Sequence, residues 1–358
     1  MSRHSGERVV DWSLAERLAG ALAGDGPAWD GTEDELRAES ERSAQLVRKY
    51  TGLKPRGRIP PAELIDRAEW ARVNLSSFRD MSAGVEATLA DRMQEGGKSG
   101  GVSRALAGAA TGAELGLAIG YLAQRVIGQY DVSLLGPARE PRLLFVGPNL
   151  DKAVGDLDVH AAAFGRWVCA HELTHVHQFG GVPWLRPHMS GLLREYLESV
   201  EVRIERGNAG GMPSIPDPAK IVEAFREGGL AALVQSEEQQ VLMDRIQAAM
   251  AVIEGYSEHV MDVIGERAIP GHERLRAAMD ERRRNRSAPA RIVERLLGFD
   301  VKLRQYELGK RFADAVVGQA GIDGLNRVWG DPSALPTLPE LDDAGAWLAR
   351  VESGRAAA

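Results

Sequence analysis

The run His171-Glu172-Leu173-Thr174-His175 constrains this chain more than any other stretch of its sequence. It lies in a segment that reads as a helix. Asp158 stands as an N-cap before it, and apolar Phe164, Trp167, Val168 and Val176 recur at helical spacing. Gly180-Gly181 and then Pro183 supply a stop. On a helix, residues four apart share a face one turn above each other. His171 and His175 can therefore aim two imidazole nitrogens at one ion. Glu172 is displaced by about 100° around the helix, so its carboxylate reaches past the ion toward its open position.

Two His ligands with an interposed Glu is the pattern of a zinc peptidase, in which Glu172 acts as general base on a zinc-activated water. His177 is two residues from His175 and so nearly opposite on the helix. It reads as a polar residue of the cleft or helix surface. The longer zinc signature, with Gly and a third His, fails because Gln178 occupies the Gly position.

A catalytic zinc needs a third protein ligand and one open position. Glu254 is the favoured candidate. It sits with Glu258 and Asp262, each four apart, on a helix that is otherwise largely apolar. Carboxylates on such a helix are costly to bury unless charge-paired or metal-bound. Gly255 leaves room for close approach of another backbone or a substrate. Glu258, one turn on, could accept the second N–H of a ligand histidine and hold its tautomer. The second candidate is Glu195, 20 residues after His175. Its neighbours Glu198, Glu201 and Glu205 alternate with Arg194, Arg203 and Arg206, as on a solvated helix face. Tyr256 and His259 are candidate donors to an oxyanion; for His259 a packed, hydrogen-bonded structural role is an equal alternative.

The run from Trp167 to His175, followed by Gln178-Phe179 and Val182-Pro183-Trp184-Leu185, resembles the zincin-like hydrolases found mostly in actinobacteria. These are also described as zinc-dependent metalloproteases, and one branch is labelled as associated with biosynthesis of the deazaflavin coenzyme F-420. Phe145-Val146-Gly147-Pro148-Asn149, the Glu254-Gly255 segment, the stretches from Lys302 to Glu307 and from Asn326 to Trp329, and Leu335-Pro336-Thr337-Leu338-Pro339 fit as well. The similarity spans about Val10 to Val351. It implies a metallopeptidase-like site with one zinc per chain. By the same resemblance Phe145 to Asn149 is an edge strand lining the cleft, and exposed strand edges bind extended peptides on general grounds.

The chain has 358 residues, of which 44% are hydrophobic, enough for a sizeable core. A net charge of -7 argues against general nucleic-acid binding. The basic run Arg282-Arg283-Arg284-Asn285-Arg286 reads as a solvated interhelical loop. Cys169 is the single cysteine, so no internal disulfide forms, which suits a reducing compartment. Residues 1–8 lack the apolar core of a secretory signal, and 107–126 carries Glu114 and Arg125, more like a buried helix than a membrane span. A cytoplasmic protein is expected, with a peptide or small amide as its partner, no membrane and no nucleic acid; the sequence leaves its oligomeric state open.

Along the chain, residues 10–23 read as a helix. A second helix, 32–50, opens with the capping-box pattern Thr32-Glu33-Asp34-Glu35, and a third starts at Pro61 and runs through Trp70. Residues 96–101 form a Gly-rich break whose spacing is wrong for a phosphate loop. A Gly/Ala-rich helix occupies 107–129, and short strands are expected at 131–135 and 142–146. Residues 207–218 read as a loop, 219–320 as mainly helical, and 335–339 as an extended tail before a last short helix. The expected fold is mostly α (α+β): a zincin-like core with the metal helix, a few short strands and a large helical surround. Residues 1–9 form a loose tail and 10–352 one metallohydrolase domain. Within it lie a helical part (about 10–128), a metal-site core (129–265) and a second helical part (266–352). The expected activity is peptide hydrolysis. A zinc amidohydrolase of a non-peptide amide in cofactor metabolism and a non-catalytic zinc-containing binding protein are the alternatives.

Overall fold

The computed structural model describes residues 10–26, 29, 31–95, 101–134, 139–207, 236–284 and 299–354. Two units make up the chain, residues 1–37 with 60–161 and residues 38–59 with 162–358. The fold is mostly helical with one three-stranded sheet.

In the first unit α1 (Trp12–Ala23) opens at Asp11, whose carboxylate accepts from Leu14 N at 3.0 Å. At the start of α2 (Glu33–Thr51), Thr32 and Glu35 form the expected reciprocal cap: Thr32 N donates to Glu35 Oε2 at 2.8 Å and Glu35 N to Thr32 Oγ1 at 3.1 Å. The helix expected from Pro61 is instead strand β1 (Ala62–Ile65), and helix α3 (Arg67–Glu95) starts only after it. Asp66 caps α3, its Oδ1 accepting from Glu69 N at 2.6 Å. Tertiary pairing decides the local choice, because β1 lies parallel on β3 (Arg142–Val146) with Ala62 opposite Leu143 and Ile65 opposite Val146.

The Gly/Ala-rich helix is α4 (Gly101–Ala123). Gly112, Gly116 and Gly120 follow at spacings of four. A β-carbon on any of them would overlap the backbone of Asp11, Ala15 or Ala19, so their lack of side chains lets α1 and α4 pack backbone to backbone. Gln129 leaves this helix for β2 (Gly128–Asp131), which pairs antiparallel with β3. The strand expected at 131–135 is thus displaced toward the N-terminus. Ser133 has left-handed backbone with φ 45°, turning the chain out of extended geometry, and Leu135 lies outside the described residues.

β3 is the central strand, in the order β1-β3-β2. The expectation that Phe145 to Asn149 forms an edge strand open to peptide is therefore corrected. Both edges of β3 are paired, and Phe145 and Val146 are fully buried. Asn149 belongs to the next helix, α5 (Gly147–Leu157). Its Nδ2 donates to Ala123 O (2.7 Å) and Val126 O (2.6 Å), and its Oδ1 accepts from Arg67 Nε at 2.7 Å. Asp158 does not cap the helix that carries the HExxH run; it ends α5 in left-handed geometry, φ 51°.

In the second unit α6 (Ala161–Gly181) carries the HExxH run and buries Phe164, Trp167, Val168, Leu173 and Val176. The C-terminal part of α2 lies along α6 in the same direction. Glu39 meets Arg166, Ser40 meets Cys169, and Arg56 N donates to Gly180 O at 2.9 Å. After α7 (Leu185–Gly207), α8 (Glu237–Ala268) is buried over much of its circumference, as a helix enclosed by others must be. α9 (His272–Arg284) follows, and Arg282 to Arg284 extend it rather than forming a loop. α10 (Phe299–Leu325) packs on α8, with a break at Gly321. The end of the chain forms short 3-10 turns, α11 (Leu338–Asp342) and α12 (Ala344–Glu352), so Leu338 and Pro339 are helical rather than extended. Thr337 and Glu340 make a second capping box, and Trp347 Nε1 donates to Ala334 O at 2.8 Å. The breaks expected at 96–100 and 208–218, and most of Asn285 to Phe299, lie outside the described residues. No described helix is long and apolar enough to cross a membrane.

Candidate metal centre

His171 and His175 project from one face of α6, their rings edge to face at 4.7 Å and their Nε2 atoms 3.1 Å apart. Glu254 reaches them from the middle of α8. Its Oε2 is 3.6 Å from His171 Nε2 and 3.5 Å from His175 Nε2. One ligand atom from each residue lies within 4.8 Å of the others, and this is the group of that kind among the described residues. All three side chains are between 12% and 18% exposed, and the Oε2 atom of Glu254 is buried.

The three carboxylates of α8 have separate fates. Arg276 on α9 donates to Glu258 at 2.7 Å and to Asp262 at 3.0 Å, and Lys310 on α10 stands 3.1 Å from Asp262. Those two are neutralised by permanent cations. Glu254 has only the two imidazoles as ionic partners among the described residues, and its buried Oε2 accepts no hydrogen bond. Burial alone would raise its pKa, but the adjacent imidazoles outweigh that and hold it well below the usual range. Burial alone would likewise lower the pKa of His175. The Glu254 carboxylate, with smaller help from Glu172 and Gln178, raises it to about 9. A buried carboxylate oxygen without a donor, facing two imidazole nitrogens, is a donor set of the type zinc takes. Zinc fits these residues.

Glu172 is on the same helix but rotated away from the histidine pair, and is 6% exposed. Glu195 is exposed on α7 and outside this group. His177 is a buried residue rather than one of the helix surface or of an open cleft. It is 1% exposed and donates from Nδ1 to Leu173 O at 2.7 Å. Cys169 is buried against Ser40, and burial pushes its thiol up to about 12, where it is inert.

Several residues bond otherwise than the sequence suggests. Glu258 pairs with Arg276; the residue meeting His175 Nδ1 is Gln178, whose Oε1 is 2.9 Å away. Tyr256 is fully buried and donates its hydroxyl proton to Asn326 Oδ1 at 2.8 Å, while Asn326 Nδ2 holds Thr51 O. Burial raises the pKa of Tyr256, keeping it protonated. His259 is engaged at both nitrogens, Nδ1 with Asp314 Oδ1 and Nε2 with Tyr50 Oη, each at 2.7 Å. Neither Tyr256 nor His259 offers a free donor to a reacting oxygen.

Sequence reasoning passed over Gln178, Ser257, Tyr50, Asp314 and Arg276. A signal existed for Gln178, a polar residue three positions after His175 and thus on its face. None existed for Tyr50, which meets His259 across 209 positions of sequence.

A solved structure titled "Crystal structure of a putative hydrolase with a novel fold from Chloroflexus aurantiacus" superposes with a TM-score of 0.69 at 29% identity, over 96% of this chain and 99% of that one. No curated protein matches the chain. Residues 10–348, which include the HExxH helix and the Glu254 segment, match the zincin-like metallopeptidase family, and the chain belongs to that family.

Proposed function

We propose that the protein is a zinc-dependent hydrolase that cleaves peptide bonds. The observation that carries this reading is the buried oxygen of Glu254, which accepts no hydrogen bond and faces both imidazole Nε2 atoms of an HExxH helix. Membership in the zincin-like metallopeptidase family and similarity to a structure whose title reads "putative hydrolase" support it.

His171, His175 and Glu254 would hold the metal, one ion per chain. Zinc there would supply Lewis-acid polarisation of a carbonyl and a water acidic enough to lose its proton near neutral pH. Glu172 is the general base. The 100° offset from His171 keeps its carboxylate off the ligand face. In this reading it takes a proton from the attacking water and delivers it to the leaving amide nitrogen. Tyr256 and His259 stay outside the reacting groups, because Asn326, Asp314 and Tyr50 already occupy their polar atoms.

Glu172→Gln tests the reading, since it keeps the shape and removes the base. The variant should hold as much zinc as the native protein and lose about 10²–10⁴ in kcat/KM on a fluorogenic peptide library. Undiminished cleavage by a zinc-loaded variant would sink the assignment.

A further inference from the structure

Gln178 stands between the two helices that carry the proposed ligands. Its Nε2 lies 2.9 Å from Ile253 O on α8. A carbonyl oxygen only accepts, so this contact fixes which way the carboxamide points. Its Oε1 therefore faces His175 Nδ1 at 2.9 Å and must accept from it. The imidazole proton of His175 is thus placed on Nδ1. In the neutral imidazole, the form that ligates a metal, the Nε2 lone pair is then left on the side of His171 Nε2 at 3.1 Å and Glu254 Oε2 at 3.5 Å. Ser257 closes the same knot. Its Oγ is 3.0 Å from Ile253 O and 3.3 Å from both His175 Nδ1 and Gln178 Oε1. Gln178 and Ser257 are both fully buried.

Ile253 immediately precedes Glu254. One carboxamide therefore sets the tautomer of a ligand on α6 and pins the backbone beside a ligand on α8. We infer that Gln178 is a positioning residue that assembles His175 and Glu254 into one metal-ready set before any ion arrives. The inference rests on the reading of His171, His175 and Glu254 as metal ligands. A partner that fixes the ring of a ligand histidine is worth about 10–100-fold in metal affinity. Gln178 would add to this the placement of the second helix.

The test is a titration of metal-free protein with zinc, and with cobalt(II) read by visible absorption, in wild type, Gln178→Met and Ser257→Ala. Melting temperatures of the metal-free proteins are measured alongside. Gln178→Met keeps the volume and removes both hydrogen bonds. It is expected to raise the zinc Kd about 10–100-fold and to alter the cobalt absorption bands. Wild-type affinity and bands in Gln178→Met would overturn the inference, even with a lowered melting temperature, because packing would then be its whole role. If Gln178→Met does not fold, Ser257→Ala carries the test. A raised Kd supports the inference and an unchanged one overturns it. Wild type that takes up neither metal overturns the ligand reading itself, and the role of Gln178 with it.

Discussion

Gly255 on α8 backs directly onto Gly309 on α10, with backbone against backbone. A β-carbon on Gly255 would overlap the Gly309 carbonyl group, and one on Gly309 would overlap the Ala251 carbonyl. Gly255 follows Glu254 in the chain, so this contact helps set where that carboxylate sits. Gly255→Ala and Gly309→Ala should each destabilise the protein by about 1–3 kcal/mol through overpacking. Urea unfolding measures the loss. A neutral Gly255→Ala would show that the two helices separate freely.

Glu254 and Glu195 are distinguished by metal content. Glu254→Gln should abolish stoichiometric zinc binding. Glu195→Gln, altering an exposed carboxylate on α7, should leave it intact. Elemental analysis of metal-loaded, desalted protein gives the answer, and retention of zinc by Glu254→Gln would remove that residue from the ligand set.

Zinc should stabilise the fold as well as activate it. A ligand at 100 times its Kd contributes about 2.7 kcal/mol. The melting temperature should therefore rise with added zinc, fall back on chelation, and not respond in Glu254→Gln. Differential scanning calorimetry separates these cases.

Tyr256→Phe should cost stability and spare activity. It removes the hydrogen bond to Asn326, a loss of about 1 kcal/mol, and leaves the Asn326 acceptor short of a donor. Unfolding midpoints should drop while kcat/KM per folded molecule stays within about twofold, given that the Tyr256 hydroxyl is already spent on Asn326. A large fall in kcat at unchanged stability would restore Tyr256 to the chemistry.

Glu340 gives a pH signature at the C-terminal end. Burial alone would raise its pKa, but the hydrogen bonds from Arg350 and Thr337 N outweigh it and hold it below its ordinary 4.5. Arg350 Nε is 2.6 Å from Glu340 Oε1, and both side chains are largely buried. A carboxylate with a lowered folded pKa stabilises above the unfolded value, and the contribution fades as pH falls through the folded one. The stability gap between wild type and Glu340→Gln should be full above about pH 5 and close progressively below pH 4. It should amount to about 1–2 kcal/mol at neutral pH. Urea midpoints across pH 3–7 would show it, and a gap that does not vary with pH would contradict the ion-pair account.

Local chemistry made part of this protein readable. The HExxH helix, its Gly180-Gly181 end, the Thr32/Glu35 cap and strand β3 follow from periodicity and capping, which act over a few residues. Glu254 was legible for a related reason: a carboxylate on an apolar helix must meet a counter-charge or a metal, and its burial follows from the pattern around it.

Other features depended on partners distant in sequence. Residues 62–65 became strand because β3 offered a ladder, and 145–149 lost their exposed edge because β1 and β2 took both sides. The same reason separates the carboxylates of α8. Arg276 and Lys310 reach Glu258 and Asp262 only when α9 and α10 fold back, and they leave Glu254 to the histidines. Sequence alone determined which helix carries the histidine pair and which residue types could join it. Tertiary structure alone decided which carboxylate faces the pair and that Gln178 holds His175, because burial and hydrogen-bond partnership are set by the packing of helices and not by spacing along the chain.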